Sequence, residues 1–174
     1  MQPKHESCGT VLPGPIGVTL AFADAGNIET PEAKLLFTYW LAKRGNRLAP
    51  SRAEISPKDI RTLLPSVHLY DVEDEGRSFR IRVVGTRIVA AIGGDPTGNA
   101  LTADDTEPMY VRTFAFLSTA YRHRRPIRSS TDRTTAPKRN YLAAESLTLP
   151  LSDDGETINK MMVCTIFTTP PELL

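Results

Sequence analysis

Histidine, cysteine and paired acids are the side chains here that can run acid–base, nucleophilic or metal chemistry, and their spacing limits what they can do. The histidines are His5, His68 and His123. None falls with a cysteine at the spacing of a zinc site, which argues against a structural metal. His68, in a strand-like run, can offer a neutral imidazole to haem iron. The ordinary role of a lone strand histidine is a partly exposed surface or core residue. Cys8 stands in a Pro/Gly-rich leader. Cys164 belongs to the alternation Met162, Cys164, Ile166, where a small apolar side chain packing a core is the default and a thiol on a ligand pocket is the alternative. Asp104-Asp105-Glu107 and Asp153-Asp154-Glu156 fall in turns. General acid–base catalysis needs carboxyls that are desolvated or set against one another, so turn formation is the stronger account of both.

The basic run Arg122-His123-Arg124-Arg125, with Arg128, Arg133, Lys138 and Arg139 nearby, admits two readings. Cations at a helix C-terminus complement its dipole. The same cluster can dock an acidic surface or a phosphorylated ligand. No interleaved aromatics accompany it, which argues against nucleic acid. Gly85, Gly93, Gly94 and Gly98 do not have the spacing of a phosphate-binding loop or a dinucleotide fingerprint, and read as helix boundaries.

The 174 residues fit one domain with a real core, and the net charge of +1 gives no electrostatic case for nucleic acid or an anionic membrane. Two cysteines, with no disulfide framework, suit a reducing, cytoplasmic setting. The apolar run 16–25 is broken by Gly17 and Asp24 and lacks a cleavage site, so it does not read as a signal peptide, and no segment approaches a membrane span.

Phe79, Ile81 and Val83 alternate with Arg80 and Arg82 as a half-buried strand. Gly85-Thr86 stops it and opens a short helix carrying Ile88, Ala91 and Ile92; Gly93-Gly94 ends that helix, and Asp95-Pro96-Thr97-Gly98 turns. Upstream, Thr30, Pro31 and Glu32 open a helix with the stripe Ala33, Leu36, Phe37, Trp40, Leu41, and Gly45 closes it. Ser56 and Pro57 predict a second helix, closed by Pro65. Strands follow at 66–72 and 77–84 across Glu73-Asp74-Glu75-Gly76. A helix at 109–122 bears Tyr110, Phe114, Leu117 and Tyr121, and strands are predicted at 126–133, 141–149 and 161–168. Residues 1–27 read as an extension with one sticky element, Val18 to Phe22.

Tyr39-Trp40-Leu41-Ala42-Lys43-Arg44-Gly45, the Pro50 to Arg61 loop with its Pro-Ser-Arg, and Arg82, Gly85, Thr86, Gly93, Asp95, Thr97 and Gly98 resemble a family of single-domain bacterial PAS proteins common in alphaproteobacteria. The resemblance covers residues 28–168. Gly94 and Pro96 stand where that family carries Arg and Leu, which affects the loop's contacts rather than the fold. The resemblance implies a sensory or regulatory ligand-binding module. The Asn-Cys-Arg motif of flavin-binding members is absent.

These readings converge on an α+β chain with the PAS fold, a five-stranded antiparallel sheet with its helices on one face, plus an N-terminal helical extension. The expected division is 1–27 extension, 28–169 sensory domain and 170–174 tail. The short tail leaves any output to another protein, such as a histidine kinase, acting with a homodimer of this chain in the cytoplasm. The inward set expected to pack a core or line a pocket for a small apolar ligand is Phe79, Ile81, Ile88, Ile92, Phe114, Leu117, Tyr121, Leu147, Cys164 and Ile166. The cofactor is not specified by the sequence. The rival classes are an enzyme on a cone-shaped α+β fold, with an acid or Tyr121 acting on a small hydrophobic substrate, and a ligand-free adaptor with a filled core.

Overall fold

The computed structural model describes residues 10–140 and 142–170. The expectations that rest on His5, Cys8, Tyr141 and residues 171–174 lie outside them. Eight strands form one antiparallel sheet: β1 (Val11–Leu12), β2 (Thr19–Phe22), β3 (Val67–Glu73), β4 (Ser78–Val84), β5 (Ala100–Thr102), β6 (Ile127–Thr131), β7 (Ala143–Leu151) and β8 (Lys160–Thr168). Their spatial order is β1-β2-β6-β7-β8-β3-β4-β5. The five expected strands occupy its contiguous middle, so the sheet is α+β in class but eight-stranded. The extra members come from both edges. The sticky leader segment is β2, paired with β6 from Thr19↔Ser130 to Phe22↔Ile127. From residue 10 onward the leader is therefore not helical: it adds two strands to the sheet edge, with Leu20 fully buried.

Among the described residues three α-helices accompany the sheet: α1 (Pro31–Arg44), α2 (Thr86–Ile92) and α3 (Pro108–His123). They do not gather on one face. Side chains alternate across a strand, and β7 is buried along both sets, Leu147, Leu149 and Leu151 on one face and Ala144, Ser146 and Thr148 on the other. The first set joins Met162, Cys164 and Ile166 of β8 in a core covered by Ala33, Leu36, Phe37 and Trp40 of α1. Trp40 is 0 % exposed, and its indole Nε1–H donates to the Pro150 carbonyl at 2.9 Å. The opposite face carries Met161, Val163, Tyr70, Phe79, Ile81 and Leu101 against Leu117 and Ala120 of α3.

The predicted second helix is a run of turns ending in a 3-10 turn at Leu64–Ser66. Ser56, the expected cap, instead gives its N–H to the Tyr39 hydroxyl at 2.9 Å, and that hydroxyl donates to Asp59 at 3.0 Å, tying the turns to α1. Thr30 precedes α1 as expected, but its side chain does not cap the helix. It donates to Glu145 of β7 at 2.6 Å. Gly85 has a stricter requirement than a helix boundary: a Cβ there would come within 2.3 Å of the Pro65 carbonyl oxygen. Two backbones meet at that point, before α2 begins.

Candidate functional site

Between the α3-covered face of the sheet and α2 lies a cavity of about 110 Å³. An engineered apolar cavity of about 150 Å³ binds benzene, so the space is of ligand size. Its floor is the row Ser146, Thr165, Tyr70 and Ile81; its roof is Ile88, Ala91 and Ile92 of α2 with Met109, Thr113 and Phe116 of α3. Helix α3 thus divides its work. Its first half, Phe114 apart, faces open space together with Phe116, and the rest of its second half, through Leu117 and Ala120, is locked into filled core. The segment 134–136 closes one side, and the Lys138 N–H donates to the Ala91 carbonyl at 2.9 Å, joining this segment to α2.

Two groups at the wall are poorly satisfied. The His68 and Tyr70 side chains stack, and the Tyr70 hydroxyl and His68 Nδ1 share one hydrogen bond of 3.3 Å. His68 Nε2 is buried and has no partner. Burial pushes the imidazole down to about 4, so it stays neutral, and burial with the neighbouring Tyr110 raises the Tyr70 phenol above its ordinary range. An unpaired buried polar atom costs about 1–3 kcal/mol, which a suitable ligand atom would recover. The second group is Arg112, whose partners are the Thr131 hydroxyl (3.4 Å), the Arg133 carbonyl (2.9 Å) and the Ile16 carbonyl (3.3 Å). All three are neutral, and burial lowers its basicity. The cavity is too small for a porphyrin, so His68 has no room to act as a haem ligand in this arrangement.

Of the ten expected residues, Ile81, Ile88 and Ile92 line the cavity. Phe79, Phe114, Leu117 and Tyr121 lie beside it in filled core. The Phe79 ring meets Phe114 edge-on at 5.7 Å and Tyr121 at 6.5 Å, and Tyr121 lies over Gly76, away from the open space. Leu147, Cys164 and Ile166 face α1 on the other side of the sheet, so the single inward set is corrected to two sets on opposite faces. Cys164 is sealed there, and burial pushes its thiol up to about 12, which leaves it protonated and inert. The sequence reading missed His68 and Arg112 as cavity residues. Strand alternation with Tyr70 points to the first; nothing in the sequence points to the second.

The remaining candidates are engaged in packing. Arg125 lies 4.0 Å over the Phe22 ring, His123 meets that ring edge-on, and Arg124 donates to the Glu156 carbonyl, so the basic run fastens the end of α3 to β2 and a loop. Glu107 caps α3 at Tyr110 N–H. The amides of Thr157 and Glu156 hold Asp154 below the usual carboxylate range. A wider cleft of about 370 Å³ near Glu32, Arg87 and Arg139 carries charges of both signs on its walls.

Across the sheet from the cavity, Glu145 is a buried clamp. It accepts from the Glu29 and Thr30 amides, the Thr30 hydroxyl and Arg128 Nε, all within 2.6–2.8 Å. Burial alone would raise its carboxyl, but these donors together hold it below the ordinary range. Its neighbours in β7, Ala144 and Ser146, line the cavity, so one strand touches the open space on one side and the start of α1 on the other.

The family model for the PAS domain matches residues 28–165, and the chain belongs to that family. No curated protein and no solved structure matches it. PAS domains are in general sensory or regulatory modules. Among the described residues no helix is long and apolar enough to cross a membrane.

Proposed function

We propose that this chain is a non-catalytic PAS sensor that binds one small, largely apolar ligand in the cavity beneath α2 and reports its occupancy to a signalling protein. The observation that carries the reading is the cavity itself: ligand-sized, walled by apolar side chains with a polar end, and holding a buried His68 Nε2 that has no partner among the described residues. In a domain without a ligand, close packing would fill that space.

The ligand would act by preferring one arrangement of α2 and β7 over another, since it can shift an equilibrium only by its differential affinity. Ala144 and Ser146 feel occupancy directly, and Glu145 between them carries a displacement to the N-terminus of α1. The proposed readers of that displacement are a second copy of the chain and a histidine kinase or similar partner in the cytoplasm.

Native mass spectrometry of protein taken from its own source, set against the denatured mass, tests the reading. The expected result is a dimer carrying a small added mass that is lost on denaturation. An apo mass, with no small molecule released on denaturation, would count against a cavity ligand.

A further inference from the structure

The cavity has a polar end and an apolar end, and the asymmetry follows the strand order. Toward β6, β7 and β8 the walls carry Arg112, Thr131, Thr134, Thr135, Ser146 and Thr165, beside the apolar pair Ala144 and Phe167. Toward β4, β5 and α2 they are Ile81, Ile88, Ile92 and Leu101. With neighbouring strands about 4.8 Å apart, a space of about 110 Å³ that touches every strand from β6 to β5 is a slot. It suits a slender molecule better than a disc.

Arg112 sets the chemistry of the polar end. No carboxylate among the described residues pairs with it. Its recorded bonds occupy Nη1 and one N–H of Nη2, leaving Nε–H and the second Nη2–H. That edge of a guanidinium is the one Arg80 turns to Glu73, with Nε and Nη2 on the two carboxylate oxygens at 2.6 and 2.9 Å. The same fork on Arg112 is vacant of protein acceptors. One unpaired cation balances one negative charge. The Thr131 and Thr134 hydroxyls already donate to backbone carbonyls, which leaves the Thr135 hydroxyl as the further donor in that segment. A phosphate dianion would need a second cation there, and none lines the slot.

We infer that the ligand is a slender aliphatic monocarboxylate, its head on the free edge of Arg112 and on Thr135 in the segment after β6, its chain running under α2 toward Leu101. This rests on the cavity being the ligand site. Arg112 is then a specificity-determining residue. A neutral ligand of the same shape forfeits the charge-assisted pair and leaves a half-buried cation without compensation.

Titration calorimetry with octanoate and 1-octanol, which share a chain and differ in the charged head, tests this on the full-length protein and on Arg112→Gln. The expected result is octanoate binding at least about tenfold tighter than octanol, with that preference lost in Arg112→Gln while octanol binding holds. Equal binding of the two by the wild-type protein, or a preference that survives in Arg112→Gln, overturns the carboxylate assignment and leaves the cavity reading standing. Binding of neither overturns both. Arg112 also secures the Ile16 and Arg133 carbonyls, so Arg112→Lys is read alongside: it keeps the charge, loses the fork, and should keep only part of the preference.

Discussion

The two faces of the sheet are built from the same strands and do opposite things. The α1 face is close-packed: Trp40, Leu36, Leu149 and Cys164 are fully buried, and the buried carboxylate at its edge, Glu145, accepts four hydrogen bonds, with Arg44 Nε over Trp40 the buried polar atom on that helix that has no partner among the described residues. The α2/α3 face is filled only under the second half of α3; under the first half it keeps open space, an orphaned imidazole nitrogen and a cation with neutral partners. Stability is concentrated on one face, and on the other it is given up where, on the proposed function, a ligand would restore it. That division is the expected signature of a sensor, because a site already at its energetic optimum has nothing to gain from binding.

The sharpest way to break the contrast is a matched pair of truncations. Leu36→Ala, on the closed face, should cost about 4 kcal/mol, whereas Ile88→Ala, which already borders open space, should cost about 2 kcal/mol, both read by urea denaturation. Equal losses would mean the two faces are packed alike. Next in size, Glu145→Ala removes the buried partner of Arg128, whose side chain is 11 % exposed, leaves it only the exposed Glu29 carboxylate as an ionic partner, frees the Glu29 and Thr30 amides, and should cost about 3 kcal/mol. Hydrogen exchange should show the protection lost first in the opening turn of α1. If exchange instead rises evenly over the chain, the clamp does not single out that helix.

The third prediction concerns pH. His68 falls from 6.5 to about 4 on folding because burial disfavours its charged form. Between those values the unfolded chain takes up a proton that the folded chain refuses. Stability should therefore be intact above pH 6.5 and decline as pH drops toward 4, by on the order of 3 kcal/mol in total. His68→Leu should flatten the slope in that window, and an unaltered slope would show the imidazole already solvated through the slot. The smallest effect is expected from Ala91→Leu, which grows into the cavity and should change stability by less than about 1 kcal/mol while abolishing ligand binding. Ala33→Leu, the same enlargement against α1's packed core, should cost about 2–3 kcal/mol. Thermal melts of the two variants side by side decide it.

Much of this architecture is legible in the chain. The Trp40 helix, the β3–β4 hairpin, the Gly93 helix end and the final strands all follow from periodicity and caps, because those signals are local. The two-sided burial of the central strands is legible too, in the unbroken apolar run Met161-Met162-Val163-Cys164. Reading only its alternate members hides it and sends Leu147, Cys164 and Ile166 to the wrong side. β5 is three residues long, too short to show a period. The role of Arg112 could not be read, because a cation on an amphipathic helix looks the same whether its partner is water, an acid or a ligand. The emptiness of the slot was equally hidden, since Ile81, Ile88 and Ile92 would be the same residues in a filled core.

The position of β8 between β7 and β3 has a consequence for how the protein is made. Translation delivers the β3–β4 hairpin early and β6 and β7 much later, yet neither group can pair with the other, because the strand that bridges them is the last of the eight to emerge. Until Lys160–Thr168 leaves the ribosome, both groups expose a bare hydrogen-bonding edge beside apolar side chains, the condition in which nascent chains aggregate or recruit chaperones. Biogenesis of this domain thus waits on its closing strand, and nascent chains stalled before that strand should be held in chaperone complexes rather than released as partly folded sensors.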